Sequence, residues 1–172
     1  MRFVGECFRA HDPHWSWTPL SGAGAALKGR RFNWPGLEAL YLSLSYPTVF
    51  REVSTGFAHR LTPYVLCSYD VDCEDIADLR TDDGRTGLGV TLADLACAWG
   101  DALIAGRQPA SWTIVRRLIG EGYAGVLVPS FATGATVDDQ NLVLWRWGPE
   151  RPHRVMVYDP TGKLPKNLLS WL

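Results

Sequence analysis

SGAGAALKGRRFNWPGLEALYLSLSYPTVFREVSTG, residues 21–56, brings a cation, an aromatic ring and a carboxylate close together in sequence as Arg31, Tyr41 and Glu52. Its local signals set the frame for the rest of the chain. From Asp12 to Pro35 the sequence is rich in Pro, Gly, Ser and Trp without periodicity, the mark of a long irregular loop, and such loops in compact domains are often functional. EALYLSL, 38–44, then predicts a short strand, and Pro47 suits the first turn of a helix running to about residue 57. Arg31 therefore falls on a loop, Tyr41 on a strand and Glu52 on a helix. The three converge only if strand and helix both face a cavity under the loop. Each also has a plain structural reading: a surface Arg beside Arg30, a strand aromatic, and a solvated helix residue.

Outward from this segment, RFVGECFRA near the start alternates as a strand does. TPYVLCSYDV predicts another strand, with Pro63 near its beginning where edge strands tolerate it. The acidic run YDVDCEDIADL invites comparison with a calcium loop, but Asp75 stands where that loop needs Gly and Thr81 where it needs Glu. A solvated loop leading into a helix is the better reading. Apolar positions at helical spacing mark two helices, about 91–105 and 109–120. YAGVLVPS reads as a buried strand that delivers Ser130 just past its end. NLVLWRW and HRVMVYD read as two strands joined across GPERP in a hairpin. About six strands and three or four helices, without strict alternation, predict an α+β domain of mixed sheets with flanking helices. No GxGxxG follows the first strand, which argues against a Rossmann site.

The bulk properties narrow the classes further. A length of 172 residues predicts a single domain, 1–172. The net charge of −1 lacks the Lys/Arg excess that phosphate-driven affinity needs, so nucleic acid is not an expected direct partner. No apolar run is long enough for a membrane span, and the charged start MRFVGECFRAHD is unlike a signal peptide, so a cytoplasmic location is expected. Cys7, Cys67, Cys73 and Cys97 form no CxxC pair and have no His at finger-like spacing. They read as free thiols with three of them buried, and no metal site is expected. The eight Trp residues are more naturally packing than ligand-stacking groups, taken one by one.

The Arg31, Tyr41 and Glu52 side chains are nonetheless the parts that cleavage of the nicotinamide–ribose bond of NAD requires. An Arg clamps a pyrophosphate with a planar fork of donors, a Tyr stacks on a flat heterocycle, and a Glu stabilises positive charge growing on a sugar carbon. The leaving pyridine departs neutral from a cationic nucleotide, so this reaction demands neither a general acid nor a metal. It needs the dinucleotide held and an oxocarbenium-like transition state supported. His11, His14, His59 and His153 are scattered and suggest no metal site or His-assisted nucleophile. Ser130 has no GxSxG around it, so it reads as a hydrogen-bond donor at a strand end. Lys28 and Gly29, with Gly22 and Gly24, offer a weak phosphate-cradle signal.

Read in order, FRA, a Gly-rich loop, GRRFN, YLS, REVS and GYAGVLVPS resemble the RES domain family, whose name records an Arg, a Glu and a Ser. Here these are Arg31, Glu52 and Ser130, and the likeness runs from about Phe8 to Trp147. The resemblance implies the toxin of a bacterial type II toxin–antitoxin pair with a fold similar to diphtheria-toxin-like ADP-ribosyltransferases. NAD would be consumed as substrate, with ADP-ribose passed to a protein, to water or to phosphate. A protein acceptor is favoured over a glycohydrolase or phosphorylase that depletes NAD, and a non-catalytic protein-binding module is the reading from another class. The implied partner is an antitoxin with an Xre-like DNA-binding part that covers the site. Arg31 would orient the diphosphate or nicotinamide ribose, Tyr41 would stack on nicotinamide, and Glu52 would stabilise the ribosyl cation. Arg9, Phe32, Asn33 and Ser130 would bind NAD. Phe32 stands where the family usually has Trp, an aromatic exchange that leaves Arg31 intact.

Overall fold

The computed structural model describes residues 1–54 and 63–169. One seven-stranded mixed sheet organises them, with strands β1 (Phe3–His11), β2 (Leu40–Ser43), β3 (Val65–Cys73), β4 (Ile76–Asp78), β5 (Gly125–Pro129), β6 (Gln140–Leu144) and β7 (His153–Val157) in the spatial order β4-β5-β6-β2-β1-β3-β7. Every pairing is antiparallel except β4 with β5. The helices are α1 (Ala23–Lys28), α2 (Tyr46–Ser54), α3 (Asp82–Gly87), α4 (Leu92–Leu95), α5 (Trp99–Ile104) and α6 (Ala110–Gly120). This is the expected α+β arrangement of strands and flanking helices.

Burial explains the central strands. In β5, Gly125, Val126, Leu127 and Val128 are all buried, as a strand covered on both faces requires. Two apolar clusters form on the two sides of the sheet. One joins Cys7, Leu40, Leu42, Tyr69 and Leu142; the other joins Val126, Val128 and Val143 to Leu95, Val115 and Leu118 of the helices. Cys7, Cys67 and Cys73 are buried free thiols, and burial raises the Cys7 and Cys73 pKa to about 12. They behave as small apolar groups.

Four local expectations are corrected. The segment 12–35 is not wholly irregular, because it contains a 3-10 turn at Pro13–Trp15 and helix α1. Gly22 caps α1 and sits where a Cβ would lie 2.7 Å from Trp147 and 2.9 Å from the Ala39 nitrogen, so packing accounts for this glycine. The acidic run contains β4, with Ile76 and Ala77 buried against β5; three residues are too few to show a period. The single helix expected at 91–105 breaks into α4 and α5, and the carbonyls of Leu95 and Cys97 at the break receive a side chain from elsewhere. Finally, β6 and β7 are not a hairpin: β6 lies between β5 and β2, while β7 pairs with β3 at the opposite edge. The expected end of the Glu52 helix beyond Ser54, the start of the Pro63 strand at Thr62, and His59 fall outside the described residues.

Candidate active site

A cavity of about 720 Å³ opens between the 21–33 segment, β1, β2 and α2, within the usual range of ligand clefts. Arg9, Arg31, Phe32, Tyr41 and Glu52 line it, so loop, strand and helix do converge. A second hollow, about 600 Å³ around Trp147 and His153, contains none of the sequence-predicted site residues.

The turn Arg30–Asn33 forms one wall, and side chains from β2, from α6 and from Trp145 just after β6 hold its backbone. The Arg30 nitrogen donates to the Asn33 carbonyl at 2.9 Å. Trp112 Nε1 donates to the Arg30 carbonyl and Trp145 Nε1 to the Phe32 carbonyl, each at 2.8 Å. Ser111 Oγ donates to the Arg31 carbonyl. The Phe32 nitrogen donates to Tyr41 Oη at 3.0 Å, and Tyr41 Oη donates to Asn33 Oδ1 at 2.9 Å. Each such bond contributes about 1 kcal/mol net, so together they fix the turn against the entropy of an irregular segment. The indoles thus serve as hydrogen-bond donors to the loop as well as apolar filler.

This framework decides what each predicted residue can reach. Asn33 is fully buried, its amide donates to the carbonyls of Ala25 and Leu37 at 2.9 Å, and it does not line the cavity. It acts on the turn; a sequence pattern cannot tell such an Asn from a ligand-facing one. The Tyr41 hydroxyl is likewise taken up by the turn, and burial pushes its pKa above the usual tyrosine range. Its ring faces the cavity, with the Arg30 guanidinium 5.9 Å from the ring centroid. Phe32 is buried, 6.3 Å from Phe131 between ring centroids.

Arg31 is anchored at one nitrogen: Nη1 donates to the Leu95 carbonyl at 2.9 Å and to the Cys97 carbonyl at 2.6 Å. Its guanidinium carbon lies 4.7 Å from the centre of the Phe131 ring. Burial lowers its pKa, opposed by the nearby Cys97 and Glu52, yet an Arg so far above neutrality stays charged. Arg9 Nη1 donates to the Pro19 and Ser21 carbonyls at 2.9 and 3.1 Å, and burial lowers its pKa too.

Glu52 Oε1 accepts from Ser130 Oγ and from Asn141 Nδ2, both at 2.6 Å. Ser43 Oγ donates to Asn141 Oδ1 at 2.8 Å, which turns the Asn141 amide nitrogen toward the carboxylate. Ser130 is buried, does not line the cavity, and reaches it only through Glu52. Asp139 ties the same parts together from behind. Its Oδ1 accepts from Thr48 Oγ1 at 2.8 Å and Arg51 Nη1 at 2.6 Å, both on α2, while its carbonyl accepts from the Ser130 nitrogen at 2.7 Å. The Thr136 backbone N–H, with Thr48, Thr136 and Arg51, holds its pKa down at about 2. Sequence reasoning missed Asn141, Ser43 and Asp139. Asn141 is the second residue of β6 and Asp139 directly precedes that strand, positions that carry no motif.

The arrangement is an anchored carboxylate facing a cavity that is also lined by three arginines, Arg9, Arg30 and Arg31, and by aromatic side chains. Such a set can support positive charge on a sugar carbon while gripping an anionic tether. Among the described residues, no group of three or more His, Cys, Asp or Glu side chains could hold a metal ion, and no helix is long and apolar enough to cross a membrane.

The RES domain family matches residues 6–167, and the chain belongs to this family. A chain of the M. tuberculosis MbcT–MbcA toxin–antitoxin complex has a similar fold, with a TM-score of 0.63 and 24% identity over 92% of this chain and 84% of that one. Comparison with the curated proteins finds no match.

Proposed function

We propose that this chain is the toxin of a bacterial toxin–antitoxin pair, consuming NAD by cleaving the nicotinamide–ribose bond and passing ADP-ribose to a protein. The carrying observation is the Glu52 carboxylate, fixed by Ser130 and Asn141 on the cavity wall with Arg31 and Arg9 on the same cavity. Membership of the RES family and the likeness to a chain from a toxin–antitoxin complex support the toxin reading.

The geometry suits a dissociative displacement. The bond between ribose C1′ and the pyridine nitrogen breaks with its electron pair leaving on nicotinamide, which departs neutral. Positive charge spreads over C1′ and the ring oxygen. The fixed Glu52 carboxylate stabilises that charge without reorganising, which is where an enzyme gains most. Arg31 and Arg9 hold the pyrophosphate, and the Tyr41 ring supplies a face for nicotinamide. The acceptor nucleophile then bonds to C1′ and gives up its proton. Trp15 lines the cavity and is partly exposed, a surface suited to a macromolecular acceptor or to an antitoxin with an Xre-like DNA-binding part covering the site.

Incubating the pure protein with adenine-labelled NAD, with and without bacterial extract, tests the reading. A labelled protein band is expected. Free ADP-ribose or its phosphate alone would replace protein transfer by hydrolysis or phosphorolysis. Intact NAD, together with normal growth and NAD levels on expression without a partner, would overturn the enzyme reading.

A further inference from the structure

We infer that His11 is a second recognition point for the dinucleotide, binding its adenosine end on the side of the cavity away from Glu52; this rests on the NAD reading of the site. Alternation along β1 puts Cys7, Arg9 and His11 on one face. Cys7 packs into the core, whereas Arg9 and His11 line the cavity. His11 is 5% exposed, yet neither Nδ1 nor Nε2 has a hydrogen-bond partner among the described residues. Folded proteins satisfy nearly all such atoms, and a buried donor and acceptor left open on a cavity wall points to a ligand. Ser16 Oγ and Thr18 Oγ1, a few residues further along the chain, are unpartnered as well.

The chemistry of the imidazole selects its partner. Burial, reinforced by the Arg9 charge and opposed by Asp12, lowers the His11 pKa to about 4, so the ring is neutral at physiological pH. A neutral imidazole offers one donor and one acceptor. A phosphate has no donor to match it and is better served by Arg9. The edge of an adenine presents both an amino donor and ring-nitrogen acceptors. Trp15 and Tyr64, 38% and 40% exposed, line the same cavity with faces on which a base can stack.

Spacing along the strand gives the separation. Phe8 pairs with Ser43, which bonds to the Asn141 that holds Glu52. Arg9 comes next, and His11 lies three residues beyond Phe8, about 10 Å along the strand. Phe8 and Ser43 point to the other face of the sheet from Arg9 and His11, so carboxylate and imidazole are separated across the strand as well as along it.

The test compares wild type with His11→Leu and His11→Gln, titrating each with AMP and with nicotinamide mononucleotide and measuring KM and kcat for NAD. In His11→Leu, AMP binding should weaken about tenfold and KM for NAD rise by a similar factor, with kcat held within about twofold. Nicotinamide mononucleotide binding should not change. His11→Gln keeps a donor and an acceptor and should recover most of the loss. If His11→Leu leaves AMP affinity and KM unchanged while the wild type cleaves NAD, the adenosine assignment is overturned and the catalytic reading stands. Equal losses for both mononucleotides, or no recovery in His11→Gln, also overturn it by showing a merely structural role. A wild type that binds neither AMP nor NAD overturns both readings.

Discussion

At the Glu52 end of the cavity, one carboxylate oxygen accepts two bonds of 2.6 Å, and the donors are themselves held by Ser43, Ala132 and Asp139. At the His11 end, both ring nitrogens have no partner among the described residues. On the proposed reading, the contrast follows from what each end would do. A group that stabilises developing charge must be in place beforehand, because reorganising it during the reaction would raise the barrier. A group that recognises a base must keep its hydrogen-bonding capacity for the ligand. One end is rigid by internal bonding and the other by burial alone.

The largest effect should come from Glu52→Gln, which removes the charge with little change of volume. NAD cleavage should fall at least about a hundredfold while the fold is kept. Full activity in a folded Glu52→Gln protein would remove the carboxylate from the mechanism. Next come the residues that only position it. Ser130→Ala and Asn141→Ala should each lower kcat by about tenfold with little change in KM, the scale of one lost bond to a charged group. The two changes should combine less than multiplicatively, since both act through one oxygen. If each leaves kcat untouched, the carboxylate is held by other means and the contrast between the ends disappears.

The smallest effect is one of pH on stability. The folded-state pKa of His11 is about 4, below its unfolded value of 6.5. Between those values the unfolded chain binds the proton and the folded chain does not, so stability rises with pH there. The contribution is complete above pH 6.5 and is lost as pH falls toward 4. Asp139, depressed to about 2, loses its own contribution only at lower pH. Melting curves between pH 7 and 4.5 should therefore show a steeper loss of Tm in wild type than in His11→Gln. Parallel slopes would mean that the buried imidazole is not held neutral.

Much of the frame was legible because local rules govern it. Alternation marked β1, a short apolar run marked β5, the strand-to-Pro47 transition placed Tyr41 and Glu52 on successive elements, and helical spacing found α6. The break between α4 and α5 was not legible, since the Leu95 and Cys97 carbonyls are taken by Arg31, more than sixty residues earlier. The hairpin expected from NLVLWRW and HRVMVYD failed for the same reason. Adjacency in sequence suggested a pairing, but Asn141–Leu144 face β2 and His153–Val157 face β3. Such partners are chosen by the whole sheet.

By itself the sequence determined which chemical groups were present, their order, and the loop, strand and helix that carry Arg31, Tyr41 and Glu52. Side-chain type and local periodicity are properties of short segments, so short segments reveal them. Only the tertiary structure decided which polar atoms are taken and which are open. It turned Asn33 and Ser130 away from the cavity, brought in Asn141 and Asp139 as supports, and left buried His11 unpartnered beside Arg9. Hydrogen bonds join atoms that are close in space at any separation along the chain, and that proximity exists only once the sheet has formed.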